Sequence, residues 1–369
     1  MLQALERHGI VPAVYAGTSI GALVAAAHAS GVSTGEMAER ADRLRRRDLF
    51  RINHVGMALQ RMRSPSLYLE EPLRALVASV VPRRRLRDVP VPVLVNTVDL
   101  ERGTQLVWGL PGLADAWLDD AVYASCALPG FFPPGVVAGR ACIDGGTVDN
   151  LPVDFAASLG VDAVIAVDVG SSQRAARGGG PAIGFAAIFM NAATTMMSAL
   201  QRDQLVRHRT PPLLLVRPAI AQVDWFAFGH APALIEAGRV ATEDALATLD
   251  RAIAAPAGVF PRRTVRVSVD RGRCVGCGMC VALAPEVMAL DPDRCAYAHR
   301  PEVSWSPADG DFVRHCPTNA IFVHDADAAQ AGVAATLEAP ADEPNAPLAM
   351  TPPPLPRPPA SRGPRIKPR

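Results

Sequence analysis

The sequence holds a single lysine, Lys367, among 37 basic residues, a bias toward arginine that marks no site. It has no excess of either charge. The 37 basic and 36 acidic residues leave a net +1, which argues against a strongly cationic nucleic-acid binder. Met1–Arg7 does not read as an export signal: it has neither a basic leader nor an unbroken apolar run, and it reads as an amphipathic helix already under way. The longest uncharged stretch, Gly178 to Leu200, approaches the ~20 residues of a membrane span. Asn191, Thr194, Thr195 and Ser198 interrupt it, so it reads as a buried helix. A membrane-touching flap using Phe185, Phe189, Met190, Met196 and Met197 is the second reading. A disulfide framework is also absent. Of seven cysteines, five fall in the last third and three of those stand three residues apart, a pattern of metal or cluster ligation. No internal repeat is visible.

At ~150 residues per domain, 369 residues imply two or three domains. Residues 1 to about 250 alternate short β-type runs (Val91–Val98, Ala163–Val169, Pro212–Val216) with Ala/Leu-rich helical runs (Ile20–Ala29, Leu69–Val80, Ala231–Ala247). That alternation predicts an α/β fold with a mainly parallel sheet. Residues 251–263, with Pro256 and Gly258, read as a linker. A small cysteine-bearing unit follows over 264–326. Residues 327–369 form an Ala/Pro-rich tail, expected to be disordered with polyproline II character around Pro352–Pro359.

Val11–Ala16 reads as a short strand, followed by Gly17-Thr18-Ser19-Ile20-Gly21 and the helix Ala22–Ala29. This is G-x-S-x-G between a strand and a helix. The sharp turn exposes the Ser19 hydroxyl. Gly17 and Gly21, lacking Cβ atoms, let strand and helix approach. The helix N-terminus aims its dipole at a developing oxyanion. No histidine stands in an acid/base context; His28, His208 and His230 read as ordinary helix or loop residues. Asp144-Gly145-Gly146 follows a β-type run, and its glycines turn the backbone at once and leave Asp144 uncovered. A carboxylate within hydrogen-bond reach of Ser19 can take its proton and return it. The arginines between Arg40 and Arg87 read as a solvated face rather than a lipid-attracting patch. The Trp225-Phe226-Ala227-Phe228 run reads equally as core or as the border of an acyl pocket.

Three pieces carry a resemblance to the patatin-like phospholipases: Ala16–Leu23, Ala124-Ser125-Cys126-Ala127-Leu128-Pro129-Gly130 with Phe131–Pro134, and Asp144-Gly145-Gly146 through Asn150-Leu151-Pro152. The resemblance implies a three-layer α/β/α fold and a catalytic dyad without histidine. By position Ser19 is then the nucleophile and Asp144 the base, acting on acyl esters of lipids through an acyl-enzyme. The family also carries a glycine-rich oxyanion loop ahead of the helix that leads to the elbow strand. Leu2–Gly9 reads as that helix, so the first strand and loop are missing, and the natural chain is expected to start upstream of Met1.

Cys274, Cys277 and Cys280 form C-x₂-C-x₂-C, and the distant Cys316 is followed by Pro317. This is bacterial ferredoxin-type ligation, with Gly276 and Gly278 permitting the tight loop. Zinc and plain core thiols are the alternatives; structural zinc usually wants paired C-x₂-C or Cys/His sets. The unit resembles a single-cluster ferredoxin domain, α+β in class. One cluster is expected, [4Fe-4S] rather than [3Fe-4S] because Cys277 occupies the second position. Cys295 is left as a free thiol, and Cys126 and Cys142 as core packing.

The expected function is a serine lipid acyl hydrolase (phospholipase, lysophospholipase or carboxylesterase type) with an appended redox domain. The alternative is a redox carrier or sensor whose hydrolase fold is an inactive lipid-binding scaffold. Expected partners are a lipid or acyl-ester substrate, a peripheral membrane surface and an electron-transfer partner, with no nucleic acid. The cluster, in a chain without an export signal, points to the cytoplasm, peripheral to the inner membrane face.

Overall fold

The computed structural model describes residues 1–54, 66–170, 185–220, 228–326 and 336–338. In the N-terminal unit the helices are α1 (Leu2–Arg7), α2 (Ile20–Ala29), α3 (Thr34–Arg43), α4 (Arg46–Leu49), α5 (Glu70–Val80), α6 (Leu118–Cys126), α7 (Val153–Ala157), α8 (Phe185–Arg207), α9 (Ala231–Leu246) and α10 (Leu249–Ala254). Its strands are β1 (Tyr15–Thr18), β2 (Val93–Asp99), β3 (Thr104–Trp108), β4 (Gly135–Val137), β5 (Arg140–Asp144), β6 (Val164–Val167), β7 (Leu213–Val216) and β8 (Val259–Phe260).

The strands form two sheets. One has the order β1-β2-β5-β4, with β3 paired to β2; the other is β6-β7-β8. β7 shows why this half is three-layered. Side chains alternate across a strand. Leu213 and Leu215 face one way, into a core with Val153 of α7 and Leu205 of α8. Leu214 and Val216 face the other, against Ala4 and Leu5 of α1, Leu246 of α9 and Ala252 of α10. A parallel strand covered by helices on both faces reads as an unbroken apolar run, as Leu213–Val216 does. The larger core gathers α2, α5, α6 and β2, with Trp108 and Tyr123 among its buried side chains.

The sheet is more mixed than the alternation suggested. β1 runs parallel to β2, and β6, β7 and β8 are parallel to one another, whereas β3 and β5 run antiparallel to β2 and β4 antiparallel to β5. β2 and β3 are joined over residues 100–103, and β4 and β5 by a hairpin turned at Ala138 and Gly139, both at positive φ (48° and 79°). Such a two-residue turn reverses the chain without a helical crossover.

The expected linker, 251–263, is occupied by structure. It begins inside α10, and Val259 and Phe260 form β8, which pairs with β7 and buries Phe260 in the core. Pro256 and Gly258 mark a turn into this strand, not a spacer.

The C-terminal unit contains β9 (Arg263–Val269), α11 (Met279–Leu283), β10 (Met288–Leu290), β11 (Ala296–Ala298), β12 (Glu302–Trp305), α12 (Asp311–Arg314), β13 (Ile321–Asp325) and β14 (Thr336–Glu338). Its antiparallel sheet has the order β12-β9-β13-β14, beside a β10–β11 hairpin. Of the tail from 327 onward one short piece, β14, is described. The outer edge of β13 offers open backbone groups, and Thr336–Glu338 pairs with it. The remainder of the tail, the Pro352–Pro359 run included, lies outside the described residues. Among the described residues no helix is long and apolar enough to cross a membrane.

Candidate active site and cluster cavity

The site is built on β2. Residues 93–96 of this strand pair with β1, Thr18 lying opposite Asn96. Residues 97–99 pair with β5, Asp144 lying opposite Thr97. Because β3 occupies the other edge of β2 over residues 95–99, β1 and β5 share one edge. They run toward each other along it and end at adjacent rungs. Ser19 leaves the end of β1 just where Asp144 ends β5, so the two residues stand at adjacent rungs of one edge of β2, and the Ser19 side chain lowers the Asp144 carboxyl against its burial.

Ser19 holds φ 55° and ψ −128°, a strained backbone for a residue with a side chain. Four hydrogen bonds at and around it hold it. Its N–H donates to Ser125 Oγ (2.9 Å), and Ser125 Oγ donates to the Asn96 carbonyl (2.7 Å). The preceding Thr18 hydroxyl donates to the Asp149 carbonyl (3.0 Å), which also receives Asn96 Nδ2 (2.6 Å). Gly17 is required by closeness, since a Cβ there would stand 2.6 Å from the Gly21 backbone. Gly21 is not: a Cβ there meets nothing within 4 Å, because it would point away from β1. The paired role expected of these two glycines thus falls to Gly17 alone. The internal bonding of α2 starts with Ala22 N–H on the Ser19 carbonyl, so the amides of Ile20 and Gly21 precede it at the positive end of the helix.

Asp144 is not uncovered, as the glycine pair suggested, but 3% exposed. Burial pushes its carboxyl up to about 6, against the opposing pull of the Ser19 side chain and the Gly146 N–H. That N–H lies 2.8 Å from Asp144 Oδ1. Gly145 is needed because a Cβ there would stand 2.5 Å from Asn96 Nδ2. Gly146 lies beneath α8, where Met197 Cε would be 3.0 Å from an added Cβ.

Residues the sequence reading did not assign, Asn96 and Ser125, prove central to this geometry. Their signal was there: a polar side chain in the apolar strand Val93–Val98, and a serine in a helix buried along almost its whole length.

The histidines are engaged elsewhere. His28 bonds to the Tyr15 hydroxyl (2.6 Å), and His208 Nε2 to the Pro211 carbonyl (2.7 Å). Arg83 pairs with Asp119 and Asp120, and Arg83 and Arg85 lie over Trp117. Of the Trp225–Phe228 run only Phe228 is described, packed on Phe50. Of the flap residues, Phe189 and Met196 are exposed and Met197 faces Gly146. Nothing is described of the Phe185 and Met190 side chains.

In the C-terminal unit Cys274, Cys277, Cys280 and Cys316 line one apolar cavity of about 330 Å³, its open mouth included. The loop bends at Gly276 and Gly278 (φ 66° and 77°), and a Cβ on Gly276 would stand 2.6 Å from the Arg294 carbonyl oxygen. Ala296 N–H points at Cys274 Sγ and Ala320 N–H at Cys316 Sγ, each at 3.3 Å. Among the described residues no three ligating side chains converge on a point sized for a single ion. Four thiols spread round an apolar wall, with amides aimed at the sulfurs, fit an iron–sulfur cluster. Cys295 is buried and within hydrogen-bond reach of Cys274. Cys126 and Cys142 are buried in the N-terminal core.

Comparison with known proteins finds a separate likeness for each unit. Residues 1–157 match the family model "Patatin-like phospholipase", and residues 267–323 match "4Fe-4S single cluster domain". An "uncharacterized NTE family protein" of Mycobacterium bovis is 31% identical over 173 residues, 47% of this chain and 45% of that one. "Patatin-like phospholipase domain-containing protein 6" of Homo sapiens is 29% identical over 184 residues, 47% of this chain and 12% of that one. "Patatin-like phospholipase domain-containing protein 7" of Rattus norvegicus is 30% identical over 173 residues, 46% and 12%. The chain thus spans under half the length of these relatives. The two matches together describe a unit similar to the patatin-like phospholipases over residues 1–157 and one similar to the 4Fe-4S single cluster domains over residues 267–323.

Proposed function

We propose that the protein is a serine lipid acyl hydrolase that uses Ser19 as nucleophile and Asp144 as the base, with an iron–sulfur cluster held by Cys274, Cys277, Cys280 and Cys316. The observation that carries the reading is the placement of Ser19, on a strained turn at the end of β1, beside the buried Asp144 carboxylate at the end of β5. As Ser19 Oγ bonds to the ester carbonyl carbon, its proton passes to Asp144, and the carbonyl π-electrons move onto oxygen. The positive end of α2 favours that oxyanion. Collapse breaks the ester C–O bond, and the leaving alkoxide takes the proton from Asp144. Water, giving its proton to Asp144, then attacks the acyl-enzyme and releases the fatty acid, while the proton returns to Ser19.

The cluster, of [4Fe-4S] type, supplies one-electron chemistry when bound, in keeping with an electron-transfer or redox-sensing role. Substrates are acyl esters of lipids; the head group is a matter for a substrate panel. Hydrolysis of a phospholipid and simple-ester panel by the full chain, lost in Ser19→Ala, is the expected result. An intact Ser19→Ala chain that hydrolyses at the parent rate overturns the dyad. A parent chain that hydrolyses none of the panel favours a binding scaffold attached to a redox domain.

A further inference from the structure

The two units meet across two arginines. Arg217, just past β7, donates Nε to Asp168 Oδ2 (3.0 Å) and Nη1 to the Pro307 carbonyl. Asp168 directly follows β6, and its side chain is 1% exposed. Arg202 of α8, its side chain 15% exposed, pairs with Asp311 at 3.0 Å. Between these two ties Ala308 packs on the N-terminal core that includes Leu151, Val153 and Leu205.

Both ends of the Arg202 tie lead to chemistry. Asp311 opens α12, and Cys316, one of the four cavity-lining cysteines, follows that helix, its N–H donating to the Val313 carbonyl (3.1 Å). On α8, Met197 faces Gly146, whose N–H holds the Asp144 carboxylate. Gln204 of the same helix donates to Asp149 Oδ2 (3.4 Å), and the Asp149 carbonyl holds Thr18 beside Ser19. At 1.5 Å per residue, Met197 and Arg202 are only ~7.5 Å apart along α8.

We propose that the ferredoxin-type unit braces the hydrolase: with its four cysteines engaged, it pins α8 through Arg202 and the end of β6 through Arg217 and Asp168, and α8 holds the Gly146 and Asp149 loop that aims Asp144 at Ser19. This rests on the dyad reading above. Arg202 and Arg217 are positioning residues, acting through α8 and Asp168 and not on substrate. Freeing the cysteines loosens α12, then α8, then the acid loop. A displacement of about 1 Å at a reacting group can cost ~10²-fold in rate.

The test compares full-length chain carrying its cluster with the same chain stripped by a chelator without oxygen. Hydrogen exchange is followed by mass spectrometry. Stripping is expected to raise exchange in residues 144–150 and 197–205, while residues 93–99 keep their protection. In the loaded chain Arg202→Asp is expected to raise exchange in the same segments with the cluster's visible absorbance unchanged. It lowers kcat at least tenfold at constant KM. The swapped pair, Arg202→Asp with Asp311→Arg, restores both. If exchange in 144–150 stays unchanged on stripping and in Arg202→Asp, the brace is overturned. If exchange responds but no form hydrolyses an ester, the brace stands and the hydrolase reading falls.

Discussion

Ser19 and Asp144 are brought together by two strands that run head to head along one edge of β2, each ending at the rung where the other stops. The pair thus needs no loop excursion to set its distance. β2 does that through Asn96, opposite Thr18, and Thr97, opposite Asp144. The absence of histidine from the proposed chemistry follows. A carboxylate raised toward neutrality by burial already has the proton affinity of a general base working near pH 7.

The raised Asp144 carboxyl predicts the acid side of the pH profile. The base must be ionised, so kcat/KM is expected to rise with pH through about 6 and then level off. Stability runs the other way. A carboxyl whose folded value lies above its unfolded one stabilises the fold at low pH, and that contribution is lost as pH rises through about 6. At neutral pH the buried charge costs on the order of 2–3 kcal/mol. Asp144→Asn is therefore expected to abolish hydrolysis while raising the melting temperature at pH 7.5, an advantage that fades at pH 4. Activity profiles and thermal melts at the two pH values check both.

Two glycines of the elbow are expected to respond oppositely to alanine. Gly17→Ala drives a Cβ into the Gly21 backbone and costs ~3 kcal/mol or more. Gly21→Ala enters open space in the first turn of α2 and is expected to be neutral or to stabilise by ~0.5–1 kcal/mol. Urea denaturation of the two variants measures the difference.

Ser125→Ala removes the acceptor of the Ser19 N–H and a donor to the Asn96 carbonyl. Stability is expected to fall by ~1–3 kcal/mol. Since the lost contact holds the strained Ser19 backbone, kcat is expected to drop while KM stays level. Denaturation and steady-state kinetics on the purified variant report both.

The reading of the sequence found the elbow because strand, tight turn and alanine-rich helix stand together between Tyr15 and Ala29, each with its own local signal. It missed the direction of β5. β5 is reached through a hairpin turned at Ala138-Gly139, which lacks the Asn-Gly or Asp-Gly signature of such turns. It missed β8 because a strand of two residues has no periodicity. Asn96 and Ser125 were visible as polar residues among apolar neighbours, but their partners are tertiary. Asp144 looked uncovered because glycines flank it, while it lies against the Cys126–Ala127 end of α6, distant in sequence. The cysteine loop was legible because its ligands are local in sequence; only Cys316 comes from afar.

Among the seven cysteines, the cavity sorts ligands from bystanders. Alanine at Cys274, Cys277, Cys280 or Cys316 is expected to lower bound iron and sulfide strongly. Cys295→Ala is expected to leave both near four per chain, although Cys295 lies beside Cys274. Iron and acid-labile sulfide assays on freshly isolated protein decide between them.

The dyad itself is tested most directly by mapping where a fluorophosphonate probe attaches to the full-length chain, by peptide mass spectrometry. The adduct is expected on Ser19, forming far more slowly in Asp144→Asn and absent from Ser19→Ala. An adduct on another serine, or an equal rate of attachment in Asp144→Asn, would contradict it.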